Sequence, residues 1–161
     1  MDQQLTRLRQ LDSEGKHKEA LSLAKTLLAE SPDNPNVHFE YACILDGQGR
    51  EREAIPHYEQ AIAGGLSGED LEAATINLGS SYRALGEYEQ AVRVWREGLQ
   101  HFGENRALQI FIAMGLYNLG YYQEAVHLLL RNVAETSKDR WIQSYQRAIL
   151  FYADKLDETW S

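Results

Sequence analysis

The sequence predicts an all-α chain, an α-solenoid of four helical hairpins closed by a C-terminal capping helix, and three observations carry that prediction. Four glycines, Gly15, Gly49, Gly86 and Gly120, stand 34, 37 and 34 residues apart. Each is followed five residues later by an alanine (Ala20, Ala54, Ala91, Ala125), preceded in turn by Glu19, Glu53, Gln90 or Glu124. On both sides of each of the later three glycines, apolar residues recur at helical spacing. A period of this length marks one small unit that cannot bury its apolar face alone and must stack on its neighbours.

Composition agrees with a folded, non-membrane, non-nucleic-acid protein. A chain of 161 residues is one domain or a short repeat array, read here as a single domain over 1–161. With 43% hydrophobic and 25% charged residues it has enough apolar surface for a core and is not a disordered chain. Three prolines leave long stretches free to be helical. The one cysteine, Cys43, allows no internal disulfide and fits a reducing compartment, so a cytoplasmic setting is expected. Met1-Asp2-Gln3-Gln4 has neither the basic nor the apolar region of a signal peptide, and no apolar window reaches the length of a membrane span. The net charge of -8 argues against nucleic acid, which needs a positive footprint, and against anionic membrane surfaces.

Taken in order, the helix pairs are expected at 2–14 and 17–31, 35–47 and 51–64, 69–85 and 88–102, and 105–118 and 122–136, within repeats 1–34, 35–71, 72–105 and 106–136. Before the turn glycines run Tyr41, Ala42 and Leu45; Leu78, Gly79 and Tyr82; Ile112, Ala113 and Leu116. After them run Tyr58, Ala61 and Ile62; Trp95, Gly98 and Leu99; Leu128, Leu129 and Val133. The glycine between suits a helix C-terminus, where a left-handed residue is favoured. The small residues Ala42, Gly79, Ala113, Ala61 and Gly98 would let paired helices approach closely. Asn34 before Pro35 reads as an N-cap with proline at the first helical position. Ser67 with Asp70 resembles a capping box. Pro56 falls inside a predicted helix, which must start late or lose a hydrogen bond there. Asp139 to Trp160 reads as one further helix, the cap at about 139–158. Trp141, Tyr145, Ala148 and Tyr152 lie on one face to cover the last hairpin, with Ile142, Ile149 and Leu156 beside them. Leu150 and Phe151 fall off that stripe, which points to self-association or a partner site.

The two clearest units read Leu85-Gly86-Glu87-Tyr88-Glu89-Gln90-Ala91 and Leu119-Gly120-Tyr121-Tyr122-Gln123-Glu124-Ala125. Together with the period, the small–aromatic pattern and the glycine turn, they resemble the tetratricopeptide repeat over residues 1–136. The overall texture is similar to that of a small bacterial subgroup of these proteins. Departures are visible. The early aromatic of the first helix is replaced by Gln4, His38, Thr75 and Gln109, and the repeat-closing proline survives only as Pro32. Arg7 and Leu8 make the first repeat the poorest match, so its first helix is expected to be short or frayed. The second repeat carries three extra residues around Gly64-Gly65-Leu66-Ser67-Gly68.

The resemblance implies a protein-interaction scaffold whose first helices line a concave groove. It places Leu5, Phe39, Ile76 and Ile110 at equivalent groove positions, an apolar row. Arg9, Cys43, Asp46, Asn77, Ser80, Arg83, Phe111, Met114, Tyr117 and Asn118 lie around it. The implied ligand is an apolar or amphipathic segment of a partner protein. The alternative is a self-associating unit, a homodimer through Leu150 and Phe151 or the groove. Family members that grip a chaperone's C-terminal carboxylate use lysine, asparagine and arginine at set positions. Here those positions hold Leu5, Arg9, Glu40, Ala73 and Asn77, or, one repeat on, Phe39, Cys43, Asn77, Ala107 and Phe111. Only Asn77 agrees, too few donors for a carboxylate. RNA binding, as in the similar-length pentatricopeptide repeats, lacks its basic stripe.

No pattern points to catalysis, to a cofactor or to a metal. Cys43 has no paired histidine and reads as packing. His17, His38, His57, His101 and His127 are scattered without ligand spacing. Glu51, Glu53 and Glu59 read as solvated helix faces. Gly64-Gly65 joins two helices and is no phosphate loop. Trp95 and Trp141 read as core or cap residues.

Overall fold

In the computed structural model, which describes residues 1–160, every expected hairpin forms, with helix ends within one residue of those expected. The helices are α1 (Asp2–Ser13), α2 (His17–Glu30), α3 (Pro35–Gly47), α4 (Glu51–Ala63), α5 (Gly68–Ala84), α6 (Tyr88–His101), α7 (Arg106–Asn118) and α8 (Tyr122–Thr136). Two short helices follow, α9 (Arg140–Ser144) and α10 (Gln146–Tyr152), and no strand occurs among the described residues. The turn glycines Gly15, Gly49, Gly86 and Gly120 have φ of +72°, +72°, +81° and +85°, the left-handed conformation that lets a helix stop and its chain reverse. Asn34 caps α3 as expected, its Oδ1 accepting from the backbone N–H of Asn36 at 3.0 Å and of Val37 at 3.4 Å.

Three expectations need correction. Helix α1 is not frayed: it runs twelve residues, because Leu8 (0% exposed) and Leu11 bury its inner stripe. Ser67 makes no side-chain cap on α5, and Asp70 accepts a hydrogen bond from Arg9 at 3.0 Å instead. Of the two outcomes expected at Pro56 the second holds: α4 begins at Glu51 and continues past it, and the exposed proline gives up one ladder bond without breaking the helix. The third correction concerns the cap. It is two helices broken at Tyr145, not one, and its aromatic stripe faces outward: Trp141 is 61%, Tyr145 59% and Tyr152 47% exposed. The face turned to α8 is the neighbouring stripe of Ile142, Gln146, Ile149 and Ala153. Ala153 is buried and the Gln146 Nε2 donates to the Ala134 carbonyl at 2.9 Å. That stripe allows close approach and satisfies a main-chain acceptor, whereas a row of rings would hold the helix away from α8.

The chain forms two compact units, Met1–Glu87 with α1–α5 and the part from Tyr88 onward with α6–α10. In the first, Leu8, Ala20, Leu27, Val37, Ala42, Leu45, Tyr58 and Ala61 are at most 1% exposed, so both helices of each hairpin contribute to one core. In the second, Leu108, Ala113 and Leu116, at most 2% exposed, gather around the fully buried indole of Trp95. Burying each such large side chain contributes about 1.5–3 kcal/mol.

Candidate partner-binding surfaces

In the first unit the first helices of the hairpins lie side by side, α1 against α3 and α3 against α5. Their shared face is tied together by polar side chains. The Arg9 guanidinium on α1 pairs with Glu40 on α3 and Asp70 on α5. Glu40 is nearly covered; burial pushes its carboxyl above the usual range, and Arg9 only partly opposes that. The pair therefore favours the arginine's charge, held up chiefly by its hydrogen bond to Glu40, more than the carboxylate's. Further along, Ser81 Oγ donates to Asp46 Oδ1 at 3.0 Å, while Tyr58 OH lies 3.4 Å from Asp46 Oδ2 and 3.7 Å from Cys43 Sγ. Asn77 Nδ2 reaches the same sulfur at 3.8 Å. Burial raises Asp46 as well, and pushes the Cys43 thiol up to about 12, so it stays protonated and a poor nucleophile at neutral pH.

Of the residues expected in the groove, this face bonds Arg9 to Glu40 and Asp70, and separately gathers Cys43, Asp46 and Asn77 around Tyr58 and Ser81. Leu5, Ile76, Ser80 and Arg83 are half-buried, and Phe39 is buried at 6% exposure with its ring 6.3 Å from that of Tyr58. Ile110 lies in the second unit, half-buried on α7 with Phe111, whose ring stands 5.4 Å from Trp95. On the same helix Met114 is 40% and Tyr117 63% exposed, with Asn118 half-buried beside them. The Tyr117 ring leans on Tyr122 at 5.3 Å. Leu150 is half-buried and Phe151 52% exposed.

Three features escape the sequence reasoning. Tyr58 and Ser81 complete the polar network, and their part depends on which helix each faces. The outward aromatic face of α9–α10 is the second. The third is a histidine pair within the second hairpin. His38 Nε2 donates to the Pro32 carbonyl at 2.7 Å, and its Nδ1 stands 2.9 Å from the Nδ1 of His57. One of these two nitrogens carries the proton of the bond between them. The Tyr41 ring meets His57 edge-on at 4.7 Å. Burial, and then the charge of His38, lower the pKa of His57. Among the described residues no three metal-capable side chains converge, and no helix is long and apolar enough to cross a membrane.

Residues 35–156 match the family described as tetratrico peptide repeat. Among solved structures the fold is similar to a chain of the APC/C hetero-tetramer Cut9–Hcn1 (TM-score 0.74, 20% identity), over 93% of this chain but only 29% of that one. It is similar to the nearly identical TPR-like repeats assigned to a Podosopora anserina kinesin light chain (TM-score 0.70, 20% identity, 97% of this chain and 85% of that one). It is also similar to a chain of Naa15/Naa10 bound to HypK-THB (TM-score 0.66, 18% identity, 97% and 23%). At these identities the likeness is one of fold. A comparison with curated proteins gave no significant match.

Proposed function

Since the chain belongs to the tetratricopeptide-repeat family, whose fold is generally a protein–protein interaction scaffold, we propose that it is a non-enzymatic adaptor binding an apolar or amphipathic partner segment on the inner faces of its first helices. The observation that carries this reading is on α7, where Met114 and Tyr117 stand 40% and 63% exposed at positions expected to face a ligand. Large apolar side chains held open on a rigid helix lower the ordering cost of binding, because the surface is built before the ligand arrives. In the first unit, α1 and α5 carry the half-buried Leu5 and Ile76 as well as the bonded Arg9 and Asp70, a mixture that suits a segment with one apolar and one polar side. That the similar chains of Cut9–Hcn1 and Naa15/Naa10 were solved in assemblies is in keeping with this reading.

A displayed peptide library selected on the wild-type protein and on a Met114→Ala, Tyr117→Ala variant tests it. Peptides with apolar residues at helical spacing, binding in the micromolar range (about -8 kcal/mol) and at least tenfold weaker on the variant, are the expected outcome. Peptides indifferent to both substitutions would remove α7 from the site.

Self-association through the C-terminal helices is the second reading, favoured by the 52% exposure of Phe151. Light scattering at tens of micromolar (on the order of the dissociation constant of a weak dimer) decides it. A dimer that a Phe151→Glu variant loses supports it, and a monomer removes it.

A further inference from the structure

The outward face of α9–α10 serves neither the core nor the groove. The Trp141 and Tyr145 rings lie tilted with centroids 6.4 Å apart, and Tyr152 gathers Phe151 at 5.1 Å and Trp160 at 5.4 Å. All five rings are between 47% and 61% exposed. Rings of this kind bring about 150–250 Å² each, so about half of five is on the order of 500 Å², at the upper end of the largest apolar patch on an ordinary monomer.

The unpaired charge beside this patch is mainly basic. Residues 138–160, which hold all five rings, carry Lys138, Arg140, Arg147 and Lys155 against Asp139, Asp154, Asp157 and Glu158, a net charge of zero in a protein of net charge -8. Three of the four acidic groups are already used. Asp154 pairs with Lys155 at 2.6 Å, Asp157 accepts from the Gln123 side-chain amide, and the Asp139 carboxylate caps α9 by accepting from the N–H of Trp141 and of Ile142. Lys138, Arg140 and Arg147 make no ion pair among the described residues, whereas Arg96, Arg106 and Arg131 of the same unit each hold a glutamate. Arg140 lies over the Trp141 ring instead, 4.9 Å from its centroid. Arg140 opens α9 and Arg147 lies in the first turn of α10, and both are exposed.

We propose that the outward face of α9–α10 is a docking surface for an acidic amphipathic segment of a partner protein. Its apolar side chains lie on the Trp141–Tyr145 and Tyr152–Phe151–Trp160 ring clusters, and its carboxylates pair with Arg140 and Arg147. The site is independent of the groove on the first helices and stands or falls apart from it.

The full chain is used to select random 16-residue displayed peptides, and the recovered sequences are synthesised and titrated. Peptides rich in Asp or Glu interleaved with Leu or aromatic residues are expected. Their binding shifts tryptophan emission to the blue, because Trp141 and Trp160 are exposed while Trp95 is already buried. It weakens at least tenfold in Trp141→Ala and in Arg140→Glu, Arg147→Glu, weakens with added salt, and is unchanged in Tyr117→Ala. If Trp141→Ala fails to keep the helical dichroism of the wild type, Tyr145→Ser takes its place. Recovery of no peptide, of peptides without an acidic excess, or of peptides indifferent to the charge reversal overturns the proposal. Peptides lost only in Tyr117→Ala overturn it and support the groove. A dimer in sedimentation that Trp141→Ala dissociates also overturns it, since the occupant is then a second copy.

Discussion

At Gly115, in the middle of α7, an added Cβ would lie 2.5 Å from Val92 Cγ2 and 3.2 Å from Trp95 Cζ3. Both neighbours are side chains of α6, and Trp95 is fully buried, so it has no room to yield. Gly115→Ala should therefore destabilise the protein by about 1–3 kcal/mol, overpacking outweighing the gain in helix propensity. Denaturant unfolding would show it, and an alanine variant as stable as the wild type would mean that α6 and α7 are not so closely packed. Asn34 shows the opposite kind of residue. Its cap was legible from Asn-Pro before an apolar run, because capping is local chemistry, and Asn34→Ala should cost about 1 kcal/mol. Gly115 was not legible: Gly79 and Ala113 satisfied the small-residue pattern, and what makes Gly115 tight comes from another helix. Tyr58 and Ser81 were missed for the same reason.

At the scale of the element, the second hairpin holds a pH-dependent contact. With His38 Nε2–H committed to Pro32, the His38–His57 pair keeps its hydrogen bond with no added proton or with one on either ring, and a second proton would set two N–H groups against each other. The charged neighbour that lowers His57 is His38 itself, with no carboxylate or lysine of α1, α2, α4 or α5 contributing, and the phenol of Tyr41 lies at its edge. Because the folded pKa of His57 is lower than its unfolded value of 6.5, the unfolded chain binds more protons. Stability is thus full above about pH 6.5 and falls as the pH drops through that value towards the folded one. Glu40 and Asp46, raised by burial, act in the opposite sense at lower pH, so the difference between two proteins is the informative quantity. Between pH 7 and pH 5, His57→Gln, which keeps a donor for His38 and does not titrate, should lose less stability than the wild type. Equal slopes in denaturant titrations would assign the acid sensitivity elsewhere. The five histidines looked scattered because His38 and His57 are 19 residues apart, and only the pairing of α3 with α4 brings them together.

For the whole molecule, each unit has its own buried cluster, and all three tryptophans, Trp95, Trp141 and Trp160, belong to the second. Tryptophan emission therefore reports the second unit and far-ultraviolet dichroism both. Leu8→Ala removes a fully buried side chain from the first, at a cost of about 2–5 kcal/mol. It should move the dichroism transition to lower denaturant by more than the fluorescence transition, and equal shifts would show that the chain unfolds as one cooperative body.

The repeat, the eight hairpin helices and the turn glycines were determined by the sequence alone, because helical period, capping and left-handed turns are set by residues within a few positions of one another. The groove positions could be named from the repeat register, but their burial could not: Phe39 is closed off while Tyr117 stands open, and that difference depends on packing. The cap shows the division most plainly. Its sequence sets an aromatic stripe beside a slimmer face that holds Ile142 and Ile149, and periodicity ranks the larger side chains first. Only the tertiary structure decides between them, since what α8 can accept is a slender face and a donor for the Ala134 carbonyl, and the rings are left to the outside.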